Sequence, residues 1–357
     1  MTNQTLTEIA TRHQVHLERL KAGAIKENEI FLTQIDKVVT GRLAGRELTT
    51  FKRNKLEKLI ASVRGDLSLI TGDIANKIAE QAKELAVYEA GFEVRSLNEV
   101  ITADFTVPTT AALTSAVFTN PLSIAGPDGG NLLKPFLKGA TKKQVDAISL
   151  AIRSGYYEGQ TTNQILQRIR GTRSQKFKNG VIARTGTAIN SMVRTSLQHA
   201  SVQARETTWR ANTDVIKAVR WTSTIDGRTS QICRSLDGRE YPYDKGPRPP
   251  IHINCRSSIT PVLKDKFSSL RKGATRFSRG PEGVKYIPAS QSYYGWLKNQ
   301  PAAFQDSAIG RTRGLLLRNG GLSADRFAAL NLNKNFKPTT LAEMRKLEPA
   351  AFDKANL

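Results

Sequence analysis

Trp221–Arg256 reads WTSTIDGRTSQICRSLDGREYPYDKGPRPPIHINCR, and this stretch decides how the rest of the chain is understood. Both cysteines of the 357-residue sequence, Cys233 and Cys255, lie inside it, as does one of its four histidines, His252. Two Asp-Gly pairs, Asp226-Gly227 and Asp237-Gly238, are turn formers: the carboxylate bonds the backbone ahead of it and glycine accepts positive φ. Pro247, Pro249 and Pro250 stiffen the approach to His252-Ile253-Asn254-Cys255-Arg256. Ligand chemistry and special backbone chemistry are concentrated here, so the loop is expected to fix the fold of the central domain.

The ordered set Trp221, Asp226, Arg228, Thr229, Cys233, Asp237, Gly238, Pro249, Pro250, His252, Asn254, Cys255 and Arg256 resembles the head morphogenesis domain of the phage Mu F type. That domain is found in minor capsid proteins of tailed phages. The resemblance covers roughly 140 to 262, about a third of the chain. Members often carry proline between the histidine and the asparagine, and a second cysteine after the arginine. This chain has Ile253 and Ser257 at those places.

Composition sets broader limits. The chain is long enough for two domains, or for one with extensions. Its 39% hydrophobic and 24% charged residues are compatible with a soluble protein. No run of about eighteen apolar residues suggests a membrane span. The N-terminus, MTNQTLTEIATRH, lacks the basic and apolar regions of a secretory signal. Two cysteines do not make a disulfide scaffold, and a cytosolic protein is expected. The 54 Lys and Arg against 31 Asp and Glu give a net charge of +23, a surplus that calls for a polyanionic or acidic partner.

Along the chain, the expected fold is α+β and mainly helical. Residues 1–100 show apolar series at helical spacing (Leu6, Ile9, Leu17, Leu20, Ile30, Ile35, then Leu56 to Leu85), which predict two long helices packed as an antiparallel hairpin. Residues 101–140, with three prolines before Leu132 and the turn cluster GPDGG, read as an extended arm or linker with a short helical piece. Residues 141–262 form the Mu F-like domain: helices over TKKQVDAISLAIRSGYYEG and TTNQILQRIRG, then a longer one from Asn179 to Trp209. A small antiparallel sheet from VIKAVRW, GREYPY and SSITPV follows. Residues 263–357 read as an irregular basic tail with short helices, its run containing Lys264, Lys266, Arg271, Lys272, Arg276 and Arg279. Tyr293, Tyr294 and Trp296 are packing anchors for that tail.

Cys233, His252 and Cys255 offer two thiolates and an imidazole, a workable set for structural zinc, with Asp226, Asp237, His199 or water as the fourth ligand. A Cys233–Cys255 disulfide would close a loop of about twenty residues, worth about 3 kcal/mol, though the cytosol disfavours it. Two buried thiols with a hydrogen-bonded His252 are the third alternative. Catalysis is not expected. His252 and Asn254 lack the downstream histidine of an HNH nuclease, and no orienting carboxylate or oxyanion glycine cluster accompanies a Cys–His pair.

Charge gives the other signal. From Gly159 to Arg205 there is no Asp or Glu, yet Arg168, Arg170, Arg173, Lys176, Lys178, Arg184, Arg194 and Arg205 are present. Arg168, Arg170, Arg173, Lys176, Lys178 and Arg184 are the expected DNA contacts, neutralising phosphates without reading sequence. The resemblance implies a structural minor capsid protein at the portal vertex or in the head interior, aiding assembly, DNA packaging or delivery. Its implied partners are the portal protein, other head proteins, packaged double-stranded DNA and further copies around the portal. Its place is the virion, with the host cytoplasm as the site of assembly. The alternative is a carrier domain for a delivered effector enzyme, a nuclease or transferase.

Overall fold

The computed structural model describes residues 5–271 and 273–357, so Lys272 of the basic run lies outside the described residues. Helix α1, Leu6–Leu43, starts at a capping box: the Glu8 amide donates to the Thr5 hydroxyl, and the Thr5 amide donates to the Glu8 carboxylate at 3.1 Å. After a turn through Gly45, at φ 71, helix α2, Arg53–Val100, runs back antiparallel. Arg42–Asp66 at 2.6 Å and Lys77–Glu27 at 3.0 Å join the pair near the turn and further along. The apolar series of α2 is buried from Leu56 to Leu85 as its spacing predicts, whereas Leu20 and Ile30 of α1 face solvent.

The stretch read as an arm carries α3, Thr110–Thr119, and packs inward. Leu113, Val117, Leu122 and Ile124 share one core with α1 and α2. Helix α4, Leu133–Tyr157, begins inside the expected arm and contributes Phe136, Val145, Ile148 and Ile152 to that core; Leu150 is exposed. Helix α5, Thr162–Arg170, is capped by Thr161 and Gln164 and stopped by Gly171 at φ 96, where a left-handed residue ends the helix.

Helix α6, Val181–Arg210, lies at the centre, and every residue from Thr195 to Glu206 is buried. Polar side chains in that position need partners. Gln198 donates to the Ser257 carbonyl at 2.9 Å, Ser201 to Glu89 at 2.6 Å, and His199 pairs with the Val117 carbonyl at 3.0 Å. Arg205, fully buried, donates to Glu89 at 2.9 Å and to the Ser258 hydroxyl at 2.8 Å, and stands 3.2 Å from Glu93. Glu93 in turn accepts from the Trp209 indole at 3.0 Å, and His13 meets Glu89 from α1. Arg194 and Arg205, read from sequence as part of a basic run, are therefore ion-pair partners, Arg194 of Glu18 at 2.9 Å.

Beyond α6 come β1, Ile216–Thr222, β2, Ile225–Asp226, helix α7, Gln231–Leu236, β3, Glu240–Tyr241, and β4, Ser258–Leu263. The three expected strands form one antiparallel sheet in the order β3-β1-β4, with Trp221 opposite Ile259 and Val219 opposite Tyr241. The stretch read as a tail adds a hairpin, β5, Thr275–Gly280, and β6, Gly283–Pro288, whose β5 pairs parallel with β2. Neither strand shows a clean alternation of apolar and polar residues, which is why sequence pattern did not reveal them. Six short helices follow: α8, Tyr293–Lys298, α9, Ala302–Ile309, α10, Arg311–Asn319, α11, Ala324–Leu330, α12, Leu341–Leu347, and α13, Pro349–Lys354. They enclose their own core around Tyr293, Tyr294, Trp296, Phe327 and Phe352, all buried. The fold is α+β and mainly helical. No helix among the described residues is long and apolar enough to cross a membrane.

Two carboxylates compete for one guanidinium in the centre. Burial raises the Glu89 carboxyl, but Arg205 and His13 overcome it and hold it down at about 2. Burial dominates at Glu93, and that carboxyl rises to about 7. A depressed Glu89 contributes stability that is complete above its ordinary value of 4.5 and lost as pH falls toward about 2. Arg205→Met is expected to destabilise the protein by about 3–5 kcal/mol, because it leaves buried carboxylates unpaired. Urea denaturation at neutral pH measures the loss, which should shrink as pH falls and the unpaired carboxyls take up protons.

Candidate functional site

The segment from β1 to β4 is held to the helical body, to the second sheet and to the C-terminal helices by separate residues of the signature. Trp221, fully buried, donates from its indole to the Ser223 hydroxyl at 3.0 Å, and its carbonyl accepts from Gly238 at 2.9 Å. Gly238 adopts φ 82 at that turn, a conformation that disfavours any residue with a Cβ. Asp226 receives both ends of the Arg256 guanidinium, at 2.7 and 2.9 Å, together with the Arg228 amide and the Thr229 hydroxyl at 3.0 Å each. Burial raises the Asp226 carboxyl, yet the Arg256 hydrogen bond and charge bring it below its ordinary value. Asn254 takes φ 60, which asparagine tolerates, and its amide groups bond Thr195 at 3.1 Å and Ser191 at 3.0 Å on α6. Pro250 follows a cis peptide bond.

Asp237 is the junction with the C-terminal region. One oxygen accepts from the Ser223 amide at 2.8 Å; the other accepts from Arg276 of β5 at 2.6 Å and from the Tyr293 amide at 2.8 Å. Its side chain is fully buried. The Tyr293 hydroxyl closes the circuit on the Asp226 carbonyl at 2.7 Å. Sequence gave no hint of the Arg276 and Tyr293 partnership, since the three residues are far apart along the chain. The Arg228 guanidinium has no carboxylate partner among the described residues.

Cys233 and Cys255 are free thiols whose sulfurs stand 3.6 Å apart, and Cys233 Sγ is 3.2 Å from His252 Nε2. Helix α7 presents Cys233 from its first turn, capped by Ser230, while the turn after Pro250 presents His252 and Cys255. The Ser230 hydroxyl also lies 2.9 Å from His252 Nε2. His252 Nδ1 is 2.9 Å from the Ile253 carbonyl, which fixes the proton on Nδ1 in the neutral ring and leaves the Nε2 lone pair facing the sulfurs. The hydrogen bond to Cys255, and then burial, push the Cys233 thiol well up. Burial also acts upward on Cys255, but the Cys233 hydrogen bond and His252 outweigh it and bring this thiol well below its ordinary value. Burial lowers His252, and the bond and charge of Cys255 more than compensate.

The donor set fits a tetrahedral metal. All three ligand atoms lie within 4.8 Å of one another. Two thiolates on zinc, at about 2.3 Å each, stand about 3.8 Å apart, close to the separation found here. Of the expected fourth ligands, Asp226 and Asp237 are committed to arginines, and His199 to the Val117 carbonyl. The Ser257 hydroxyl, where the resembled family often has cysteine, sits beside Cys233 instead.

The six expected DNA contacts divide in two. Arg168 pairs with Glu158 at 2.7 Å and Arg170 with Asp36 at 2.8 Å. Arg173, Lys176, Lys178 and Arg184 are exposed, and among the described residues none has a carboxylate partner. Three of them stand on a turn from Gly171 to Gly180, closed by Asn179, whose side-chain oxygen accepts from the Thr172 amide at 2.9 Å. Lys176 and Phe177 take left-handed conformations at its tip, with φ 49 and 61.

Residues 146–260 match the family model described as Phage Mu protein F like protein. Over that segment, about a third of the chain, it is similar to the Mu F-like phage proteins. The match spans the second half of α4, then α5, α6, β1, the Cys–His loop and the first half of β4. No curated protein and no solved structure matches the chain.

Asp237→Ala is expected to strand the buried Arg276 guanidinium and two amide groups, a loss of about 3 kcal/mol or more. Limited proteolysis should then cut first within residues 275–357, while the helical body resists.

Proposed function

We propose, on the premise that the chain carries a Mu F-like segment, that it is a structural protein of the phage head whose free basic loop contacts packaged double-stranded DNA. In this reading it sits at the portal vertex or in the head interior, meets the portal and other head proteins, and assembles as several copies around the portal. Assembly takes place in the host cytoplasm, and the protein then aids packaging or delivery of the genome. The observation that carries the DNA contact is the set Arg173, Lys176, Lys178 and Arg184, four cations without internal partners around one turn. Phosphate recognition of this kind is independent of base sequence.

The reading assigns no catalytic step to the Cys–His cluster. Cys233 and Cys255 are almost fully enclosed, and a substrate has no access to their sulfurs. Cys233, His252 and Cys255 instead hold a structural zinc, which supplies a cross-link between α7 and the turn before β4. The support is the clustering of two sulfurs and an imidazole nitrogen whose opposite nitrogen is already engaged.

Two measurements test these assignments. Reversing Arg173, Lys176 and Lys178 to Glu should weaken binding to a duplex fragment by at least about tenfold and shallow the salt dependence by about one unit for each phosphate contact removed. The same reversal at Arg168 and Arg170 should do less, and equal effects at both sets would refute the loop assignment. Elemental mass spectrometry of the purified protein should find zinc at near-stoichiometric level, lost together with thermal stability in Cys233→Ser and in Cys255→Ser. Two freely titrating thiols in a metal-free, equally stable protein would leave a packed loop and remove the metal.

A further inference from the structure

The molecule contains a second feature that neither the DNA contact nor the Cys–His cluster uses. A cleft of about 620 Å³ opens between the first half of α1, the sheet strands β1 and β4, and the hairpin β5–β6. Its volume lies in the range of ligand-binding clefts. One wall is apolar: Ala10, Val15, Ile225, Phe277 and Val284. The other carries guanidinium groups. Arg205 and Arg256 are paired with Glu89 and Asp226, but Arg228 and Arg279 are exposed and have no carboxylate partner among the described residues. Arg12 donates to the Tyr286 hydroxyl. The acid of the lining that is not tied to Arg256, Glu18, is engaged by Lys21 and Arg194.

Two buried polar atoms of lining residues have no partner. Arg205 Nη2 is an unused donor on a side chain with no solvent exposure. Gln14 Oε1 is an unused acceptor, its Nε2 being shared between Gln198 and the Arg256 carbonyl at 3.4 Å each. Orphaned groups of this kind are rare in a folded protein. The free guanidinium groups complement carboxylates, and the apolar wall complements aliphatic side chains.

We propose that this cleft is the docking site for an acidic peptide segment with apolar side chains, supplied by another polypeptide. A nucleotide fits the same charges less well. Phe277 is the aromatic residue of the lining, and its ring already lies against Tyr286 at 4.5 Å between centroids, so that face is taken from a stacking base. The inference is independent of the DNA-contact loop, which lies in a different part of the sequence and shares no residue with the cleft.

Fluorescence anisotropy with the full chain tests it. The probes are a fluorescein-labelled peptide alternating leucine with glutamate and the same peptide with glutamine in place of glutamate. The acidic peptide should bind saturably, and the glutamine peptide at least about tenfold more weakly. Arg228→Ala with Arg279→Ala should weaken the acidic peptide by a similar factor while leaving duplex DNA binding unchanged; both residues are exposed, so the fold is retained. Val15→Trp, at a half-exposed position of the lining, should block the cleft without removing a charge. Peptide binding should survive reversal of Lys176 and Lys178, which separates this site from the DNA contact. Absence of saturable binding, indifference to both cleft variants, or displacement of the peptide by adenylate would overturn the proposal.

Discussion

A single buried guanidinium, that of Arg205, connects the parts of this protein. It lies on α6, reaches Glu89 and Glu93 of α2, and extends through Ser258 to the first residue of β4. A fully buried arginine is tolerable only when its charge is met and most of its donors are used. That requirement fixes the rotation of α6 against α2 and the height of the sheet above both. Ser201, Trp209 and His13 meet the same carboxylates, so the network constrains four segments together. The apolar core around it would accept several helix rotations; the polar network accepts fewer.

Asp237 performs a comparable task at the other side of the sheet. It takes one amide from the signature loop itself and one guanidinium and one amide from the C-terminal region. The signature therefore acts as a joint. Trp221, Cys233, Leu236, Ile251 and Cys255 make a small core of their own, placed between the large helical core and the core of the last helices. Such a core buries too little apolar surface to be rigid on that basis. A polar circuit through Asp226, Asp237, Arg256 and Tyr293, with a metal cross-link in the proposed reading, supplies what the apolar contacts do not.

The net charge of +23 is unevenly employed. Arg205, Arg248 and Arg276 are consumed inside the structure by Glu89, Glu206 and Asp237, and Arg194 is paired with Glu18 at a half-exposed position. Others stand on exposed salt bridges that contribute little to stability. Of the cations without a carboxylate partner among the described residues, one group stands on the turn before α6 and another at the cleft beside α1, while others such as Arg19, Lys58, Lys138, Lys245 and Lys334 are spread over the surface. Net charge alone says that an anionic partner exists; only the pairing of each cation says where it meets the protein.

Much of the architecture was legible in the chain. The apolar spacing of residues 56–85 specified α2, a threonine at 161 or 162 and Gly171 marked the ends of α5, and the alternation around Trp221 specified β1. The grouping of Cys233, His252 and Cys255 was legible because close sequence spacing and turn residues limit where such side chains can go. Periodicity failed where burial does not require apolar residues. Helix α6 is buried with Gln198, His199, Ser201 and Arg205 on it, and its polarity gave no sign of this, because partners on other segments satisfy those groups. It failed again at the β5–β6 hairpin, where the pairing of β5 with β2 depends on contacts between residues some fifty positions apart. The sequence by itself determined the helices, the first sheet and the identity of the ligand-bearing loop, since those rest on local spacing and local turns. Only the tertiary structure decided which charges are spent internally and which remain free, because the pairing of a charge depends on distance in space and not along the chain.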